Sequence, residues 1–272
     1  MDAPAARRPV RLPIAVAVGV LAACAPPATA EHRLPPDRGS FDYQLGGAYD
    51  TAGLAVVARD TSDRPLAGAY NVCYVNGFQT QPGESDDWLT RHGSALLRDA
   101  AGQPVVDPDW ADEYVLDPST EAQRATIVEV VGPVLEECAR NGFDAVEIDN
   151  LDTFARFPRI DRAGAFDLAG RYVALAHGHG LAAAQKNAAE FTEQGRGLGF
   201  DFAVAEECAA FDECASYSRA YGRHVLQIEY TDNLPAPFDS VCADDGRAPL
   251  TILRDRDLAP AGAVGHVYAQ CP

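Results

Sequence analysis

The chain has 272 residues, with 22 Lys and Arg against 40 Asp and Glu, a formal net charge of −18, 47% hydrophobic and 23% charged residues. This balance belongs to a folded globular protein and excludes an intrinsically disordered one. It also excludes nucleic acid as a partner, because duplex binding needs a basic surface to neutralise phosphates; a cationic or neutral ligand suits an acidic surface. Only one basic residue is a lysine, Lys186, held in Gln185-Lys186-Asn187 after an apolar run. A chain that otherwise uses arginine keeps a compact ammonium there, and the two cations are not interchangeable.

The N-terminus reads as an export signal: Arg7, Arg8 and Arg11 precede an apolar segment, Leu12 to Ala23, too short to span a bilayer. Two cleavage points compete. Leu21-Ala22-Ala23-Cys24 resembles a bacterial lipobox that would lipidate Cys24, and Ala28-Thr29-Ala30 fits ordinary signal peptidase. The lipobox is the favoured reading. It makes residues 1–23 a signal peptide, 24–40 a Pro/Ala-rich tether and 41–272 the functional domain of an exported protein, either a cell-surface lipoprotein or secreted. Without Cys24, six cysteines remain, Cys73, Cys138, Cys208, Cys214, Cys242 and Cys271, enough for three disulfides in an oxidising compartment. Their pairing stays open. Cys208 with Cys214 would close a short loop, and Cys242 with Cys271 would pin the C-terminus.

From residue 41, short apolar runs alternate with longer helical ones. Candidate strands are Tyr43–Leu45, Leu54–Ala58, Tyr70–Val75, Ala145–Ile148, Leu181–Gln185, Phe202–Val204 and Val225–Ile228, with a last one at Leu250–Leu253 or Val264–Tyr268. Helices are expected from Ser119-Thr120-Glu121 through Ala139, stopped at Asn141-Gly142, and from Ala163 to Ala176, stopped at Gly178. Eight strands alternating with helices predict an α/β fold, a single-domain (β/α)8 TIM barrel, with an insertion over residues 86–117 that has its own small strand near Tyr114-Val115-Leu116. No Gly-x-Gly-x-x-Gly follows the first strand, so no dinucleotide cofactor is expected. No metal is expected either: there is no Cys-x-x-Cys, and His177 and His179 would point to different faces of a helix.

Barrel enzymes carry their chemistry at the C-terminal ends of strands. Two candidate strands end in acids: Ala145-Val146-Glu147-Ile148 runs into Asp149-Asn150, and Phe202-Ala203-Val204 into Ala205-Glu206-Glu207. Asp149 and Glu206 lie 57 residues apart, about two βα units, which places them on alternate strands of one rim. Period-two alternation sends Glu147 and Asp149 to one side and allows only one of Glu206 and Glu207 to enter the barrel. Two carboxylates across a cleft are the minimal machinery for hydrolysing a glycosidic bond. Acids at strand ends also serve as helix caps and loop ligands, a role that spacing alone does not remove.

Val146-Glu147-Ile148-Asp149-Asn150, the Gln185-Lys186-Asn187 strand end, Phe200 to Cys208 followed by Asp212-Glu213-Cys214, and Ile228-Glu229-Tyr230 together resemble glycoside hydrolase family 114. Phe41 to Leu45 and Tyr74 to Gln81 also match, so the likeness covers about residues 41–232 in order. The resemblance implies a barrel with endo-α-1,4-polygalactosaminidase-like activity and a catalytic pair at Asp149 and Glu206. Ala205 stands where the family's second motif usually has Asn. The acidic pattern common on its second strand is Ala55-Val56-Val57-Ala58 here, keeping only Asp60-Thr61; both positions bear on sugar selectivity.

On this reading Asp149 is the nucleophile and Glu206 the proton donor, with Lys186 pairing with Asp149 and a less polar setting pushing Glu206 up. Tyr43, Gln44, Asn76, Gln79, Asn150, Asn187 and Tyr230 offer groups that read sugar hydroxyls, and Glu229 could recognise a sugar amino group. Trp88 or Trp110 could stack on a ring from the insertion or pack inside it. The expected partner is a polysaccharide, a cationic galactosamine polymer, with membrane contact only through lipid at Cys24. A non-catalytic surface lipoprotein gripping an amino-sugar polymer, and a glycosidase for another α-glycan, are the competing readings.

Overall fold

The computed structural model describes residue 1 and residues 32–272, so the signal segment and the Cys24 cleavage point lie outside the described residues. Nine strands form one sheet in sequence order: β1 (Ser40–Tyr43), β2 (Leu54–Asp60), β3 (Tyr70–Asn76), β4 (Ala145–Asp149), β5 (Ala182–Lys186), β6 (Phe202–Glu206), β7 (Val225–Tyr230), β8 (Leu250–Arg254) and β9 (Tyr268–Gln270). Neighbours from β1 to β8 pair parallel, and β9 pairs antiparallel with β8. Of the two expected positions for the last strand, the first is β8 at Leu250–Arg254, whereas 264–267 is turn and irregular chain and β9 begins only at Tyr268. The first strand ends before Leu45 because the chain bends at Gly46, where a Cβ would sit 2.4 Å from the Asp257 carbonyl.

Alternation along each strand builds two cores. Phe41, Val56, Tyr70, Val72, Phe202, Leu226 and Ile252 point inward and fill the barrel, while Val146, Ile148, Ala183 and Ala203 face the helices. Among the described residues the helices are α1 (Ser85–Arg91), α2 (Glu121–Asn141), α3 (Thr153–Arg156), α4 (Arg162–Gly178), α5 (Thr192–Leu198), α6 (Cys214–Tyr221) and α7 (Phe238–Cys242), of which α2, α4, α5 and α6 build most of the outer layer. A reciprocal capping box between Thr120 and Gln123 starts α2, and Gly142 at φ 93° ends it, as its sequence signals predict. The chain from β1 to β3 lacks helices, since connections of that length hold only turns; Leu66 and Ala69 cover Leu54 and Val57 there.

The insertion contains α1 (Ser85–Arg91), a 3₁₀ turn at Gly93–Ala95 and isolated bridges rather than a regular strand, including Gln79 to Val115, Leu96 to Leu116 and Val106 to Tyr114. Trp88 is buried in it, whereas Trp110 is 58% exposed. Three disulfides form: Cys73–Cys138 ties β3 to α2, Cys208–Cys214 closes the loop after β6, and Cys242–Cys271 pins the C-terminus. Residues 32–37, expected as tether, instead pack beneath the barrel. The Arg33 carbonyl accepts the Tyr70 hydroxyl at 2.7 Å, the Pro35 carbonyl accepts His224 Nδ1 at 3.0 Å, and Asp37 pairs with Arg223.

Among the described residues no backbone ladder joins β1 to β8. Side chains close the ring. Gln270 on β9 accepts from Phe41 N at 3.1 Å and donates to the Gly39 carbonyl at 2.7 Å, Tyr268 donates to the Phe41 carbonyl at 2.8 Å, and the buried Arg254 binds Asp42 at 2.9 Å and the Tyr43 carbonyl. Removing one member of a buried ion pair costs about 3–5 kcal/mol, because its partner is left uncompensated. Arg254→Met is therefore expected to lower stability by about that amount, read as a lower urea midpoint at unchanged slope.

Candidate active site

The inward alternation that fills the barrel also decides what reaches its mouth. Tyr74, Asp149, Lys186, Glu206 and Tyr230 all occupy inward positions at or near the ends of β3 to β7. Glu206, and not Glu207, enters, while Glu147 and Asp149 share the inner side. Register locks them laterally, with Asn76 opposite Asp149 and Glu206 opposite Ile228.

Lys186 is the hub. Its ammonium lies 3.1 Å from Glu206 Oε2 and 3.7 Å from Asp149 Oδ1, and it donates to the Tyr43 hydroxyl at 2.8 Å. Because both acids touch one nitrogen, these two oxygens lie less than about 7 Å apart, close enough to flank one glycosidic bond. Asp149 also accepts from the Tyr74 hydroxyl at 2.9 Å and from Asn150 N at 2.8 Å. Glu206 accepts from Asn187 Nδ2 at 3.0 Å and from the Tyr230 hydroxyl. The Asp149 and Glu206 side chains are 18% and 22% exposed while that of Lys186 is 2% exposed, so the acids line the opening and the cation lies beneath them.

The electrostatics follow from this burial order. Burial disfavours the Lys186 ammonium, but the charges of Asp149, Glu206 and Glu147 outweigh it and raise its pKa. Burial likewise opposes ionisation of Glu206, yet Lys186 and the bonds from Tyr230 and Asn187 hold that carboxyl below its ordinary value of 4.5. This corrects the expectation that its setting would push Glu206 up: the lysine lies nearer to Glu206 than to Asp149. Glu147 is pushed up to about 7 by burial, only partly offset by Lys186 and by Tyr43, whose hydroxyl donates to it at 2.6 Å. Glu113 also rises to about 7, through burial, against an opposing bond from Asn76.

The backbone bends sharply where these strands end. Asn150 (φ 66°), Asn187 (φ 51°), Ala188 (φ 61°) and Glu207 (φ 57°) adopt the left-handed region just after β4, β5 and β6. Such residues cost about 1–3 kcal/mol each and cluster where geometry serves a site. The bend at Asn187 lets its side chain both accept from Glu206 N at 2.9 Å and donate to the Glu206 carboxylate.

Of the residues expected to read sugar, Tyr43, Lys186, Asn187 and Tyr230 touch the acid cluster. Asn150 and Asn76 stand beside it, bonded to each other at 3.0 Å. Three others are turned to different use. Gln44 is fully buried between Asp42 and Arg59, Gln79 is buried against Asp107, and Glu229 faces outward from β7, accepting from Ala209 N and Gln227. None of these three is brought to the mouth; in Glu229 the strand parity that admits Tyr230 forces the neighbour out. Ala205 likewise faces the helices.

Sequence reasoning passed over Tyr74, Glu147 as a member of the cluster, and Arg256, whose guanidinium sits 4.1 Å over the Tyr230 ring while binding Glu207 and Asp232. The inward parity of Tyr70, Val72 and Tyr74 was the available signal for the first; nothing local in the sequence signals Arg256. Cys208, Cys214 and Glu229 also come together, but both sulfurs are spent in a disulfide.

A parallel barrel with paired carboxylates at its C-terminal mouth is an architecture that glycoside hydrolases use. The sequence profile described as glycoside-hydrolase family GH114 matches residues 22–272, and the chain belongs to that family. No curated protein matches it by sequence. Among solved structures it is similar to Ega3 of Aspergillus fumigatus in complex with galactosamine, at 18% identity and TM-score 0.70, covering 90% of this chain and 99% of that one. It is also similar to the glycoside hydrolase domain of PelA from Pseudomonas aeruginosa, at 15% identity and TM-score 0.59, covering 82% and 97%.

Lys186→Met leaves the cluster's carboxylates without their cation, and a loss of about 3–5 kcal/mol at neutral pH is expected. In that variant burial acts unopposed by the cation at Glu147 and Glu206, whose folded pKa values then lie above their unfolded ones, so stability is present at low pH and lost as pH rises. Thermal midpoints measured from pH 4 to 8 should therefore climb on acidification in the variant. Wild type should show the opposite contribution from Glu206, whose depressed pKa adds stability above about 4.5 that is lost as pH falls.

Proposed function

We propose that the protein is an endo-acting hydrolase of α-1,4-linked, galactosamine-containing polysaccharide, with Asp149 as nucleophile and Glu206 as acid and then base. The observation that carries this is the single ammonium of Lys186 holding both carboxylates at one opening, less than about 7 Å apart. In the first step an Asp149 oxygen attacks the anomeric carbon, the glycosidic C–O bond breaks, and Glu206 gives its proton to the departing oxygen. In the second, Glu206 takes a proton from water as the water oxygen attacks the same carbon and frees Asp149. Tyr74 orients Asp149, Tyr230 and Asn187 orient Glu206, and Lys186 holds the two carboxylates together.

The substrate class rests on family membership, on the galactosamine bound in the Ega3 structure, and on charge. A protein at −18 attracts the ammonium groups of a partly deacetylated galactosamine polymer. The three disulfides suit an exported enzyme meeting such a polymer outside the cell, whether secreted or lipid-anchored at Cys24. With Ala205 turned to the helices, its replacement of Asn lends no weight to a binding-only role.

Asp149→Asn and Glu206→Gln should each lower release of oligosaccharides from de-N-acetylated galactosamine polymer by about 10²–10⁴-fold while leaving the far-ultraviolet spectrum and polymer binding intact. The first-formed product, followed by proton NMR, should keep the α configuration. Wild-type protein that binds the polymer and releases nothing sinks the hydrolase reading; a β product would replace Asp149's attack with that of water.

A further inference from the structure

We infer that Glu147 is a positioning residue that shares one proton with Glu206, acting through Tyr43 and Lys186. This rests on the reading of Glu206 as proton donor, and it addresses a difficulty in that reading: the resting donor is held ionised.

The geometry is a continuous bridge. Glu147 Oε1 accepts from the Tyr43 hydroxyl at 2.6 Å, that hydroxyl accepts from Lys186 Nζ at 2.8 Å, and Nζ contacts Glu206 at 3.1 Å. Glu147 is fully buried and its Oε2 has no partner among the described residues. The groups facing this cluster are Tyr43 from β1, Tyr74 from β3, Asp149 on β4 itself, Lys186 from β5, Glu206 from β6 and Tyr230 from β7. Three carboxylates thus surround one ammonium, and with all three ionised the barrel interior would hold two uncompensated negative charges. Sites coupled this closely titrate as a unit. In the free protein the single proton resides on Glu147, the deepest acid, in keeping with its rise to about 7.

A saccharide seated over the mouth strips water from Glu206 and raises its proton affinity. The O–H bond at Glu147 is then lost and one at Glu206 gained, with the cluster's net charge unchanged. Glu147, now a carboxylate, is stabilised by the Tyr43 hydroxyl and draws Lys186 away from Glu206. The buried acid is therefore a proton store, and the pH at which activity fails on the alkaline side belongs to the cluster rather than to Glu206 alone.

The test uses the full-length protein with two variants and two measurements. Infrared difference spectra should show the carbonyl band of a buried protonated carboxyl titrating near pH 7 in wild type and missing in Glu147→Gln. The alkaline limb of kcat/KM should move from about pH 7 in wild type to below about pH 4.5 in Glu147→Gln, with KM little changed. Tyr43→Phe removes the hydroxyl that favours ionised Glu147, so its band and limb should move the other way, to higher pH, with a lower plateau in kcat. Opposed shifts are not produced by a merely structural role. Absence of the band, or a limb that stays in place in Glu147→Gln, overturns the inference and leaves the hydrolase reading intact. Should Glu147→Gln fail to fold, a wild-type profile in Tyr43→Phe overturns it equally. A wild type with no turnover defeats the hydrolase reading, and the inference with it.

Discussion

The site depends on one buried ammonium. Lys186 lies on the inner face of β5, between the two strands that carry the acids, and its charge is what permits Glu147, Asp149 and Glu206 to stand together inside an otherwise apolar barrel. Desolvating any of these groups alone is costly, and desolvating them as a hydrogen-bonded set is tolerable only because each finds a partner. The phenols of Tyr43, Tyr74 and Tyr230 supply much of that partnering. Burial raises the pKa of all three, which keeps them as donors towards the acids throughout the neutral range.

That arrangement makes the surrounding architecture intelligible. Parallel strands in strict sequence order place three consecutive strand ends, β4 to β6, side by side, and the left-handed residues that follow turn the chain away before it can cover the opening. The Cys208–Cys214 bridge and the Glu207–Arg256 pairs then brace the loop beside Glu206. Rigidity at this place costs backbone strain, and the disulfide and ion pairs offset it locally.

Much of this was legible in the sequence because strand parity is a hard geometric rule. It sends Glu147 with Asp149 and separates Glu206 from Glu207, and the same rule, applied to Val225–Tyr230, would have turned Glu229 outward. The eight-strand count, the caps of α2 and the short loop that Cys208 and Cys214 close followed from local signals. What the sequence hid was non-local: Lys186's closer approach to Glu206, the irregular bridges of the insertion, Gln44 and Gln79 drawn into buried polar contacts, and the packing of residues 32–37 under the barrel. Each depends on which distant backbone arrives nearby, and no local period encodes that.

The seam between β1 and β8 couples segments far apart in the chain. Tyr43, which reaches from β1 to Lys186, is held in place by Arg254 and by strand neighbours that Gln270 and Tyr268 clasp from the far end of the chain. The contact between Arg254 and the Tyr43 carbonyl spans 211 residues of sequence, so the place of Tyr43 beside Lys186 depends on β8 and on the β9 side chains that clasp β1. Loosening this seam would therefore reach the acid cluster through Tyr43 and Lys186.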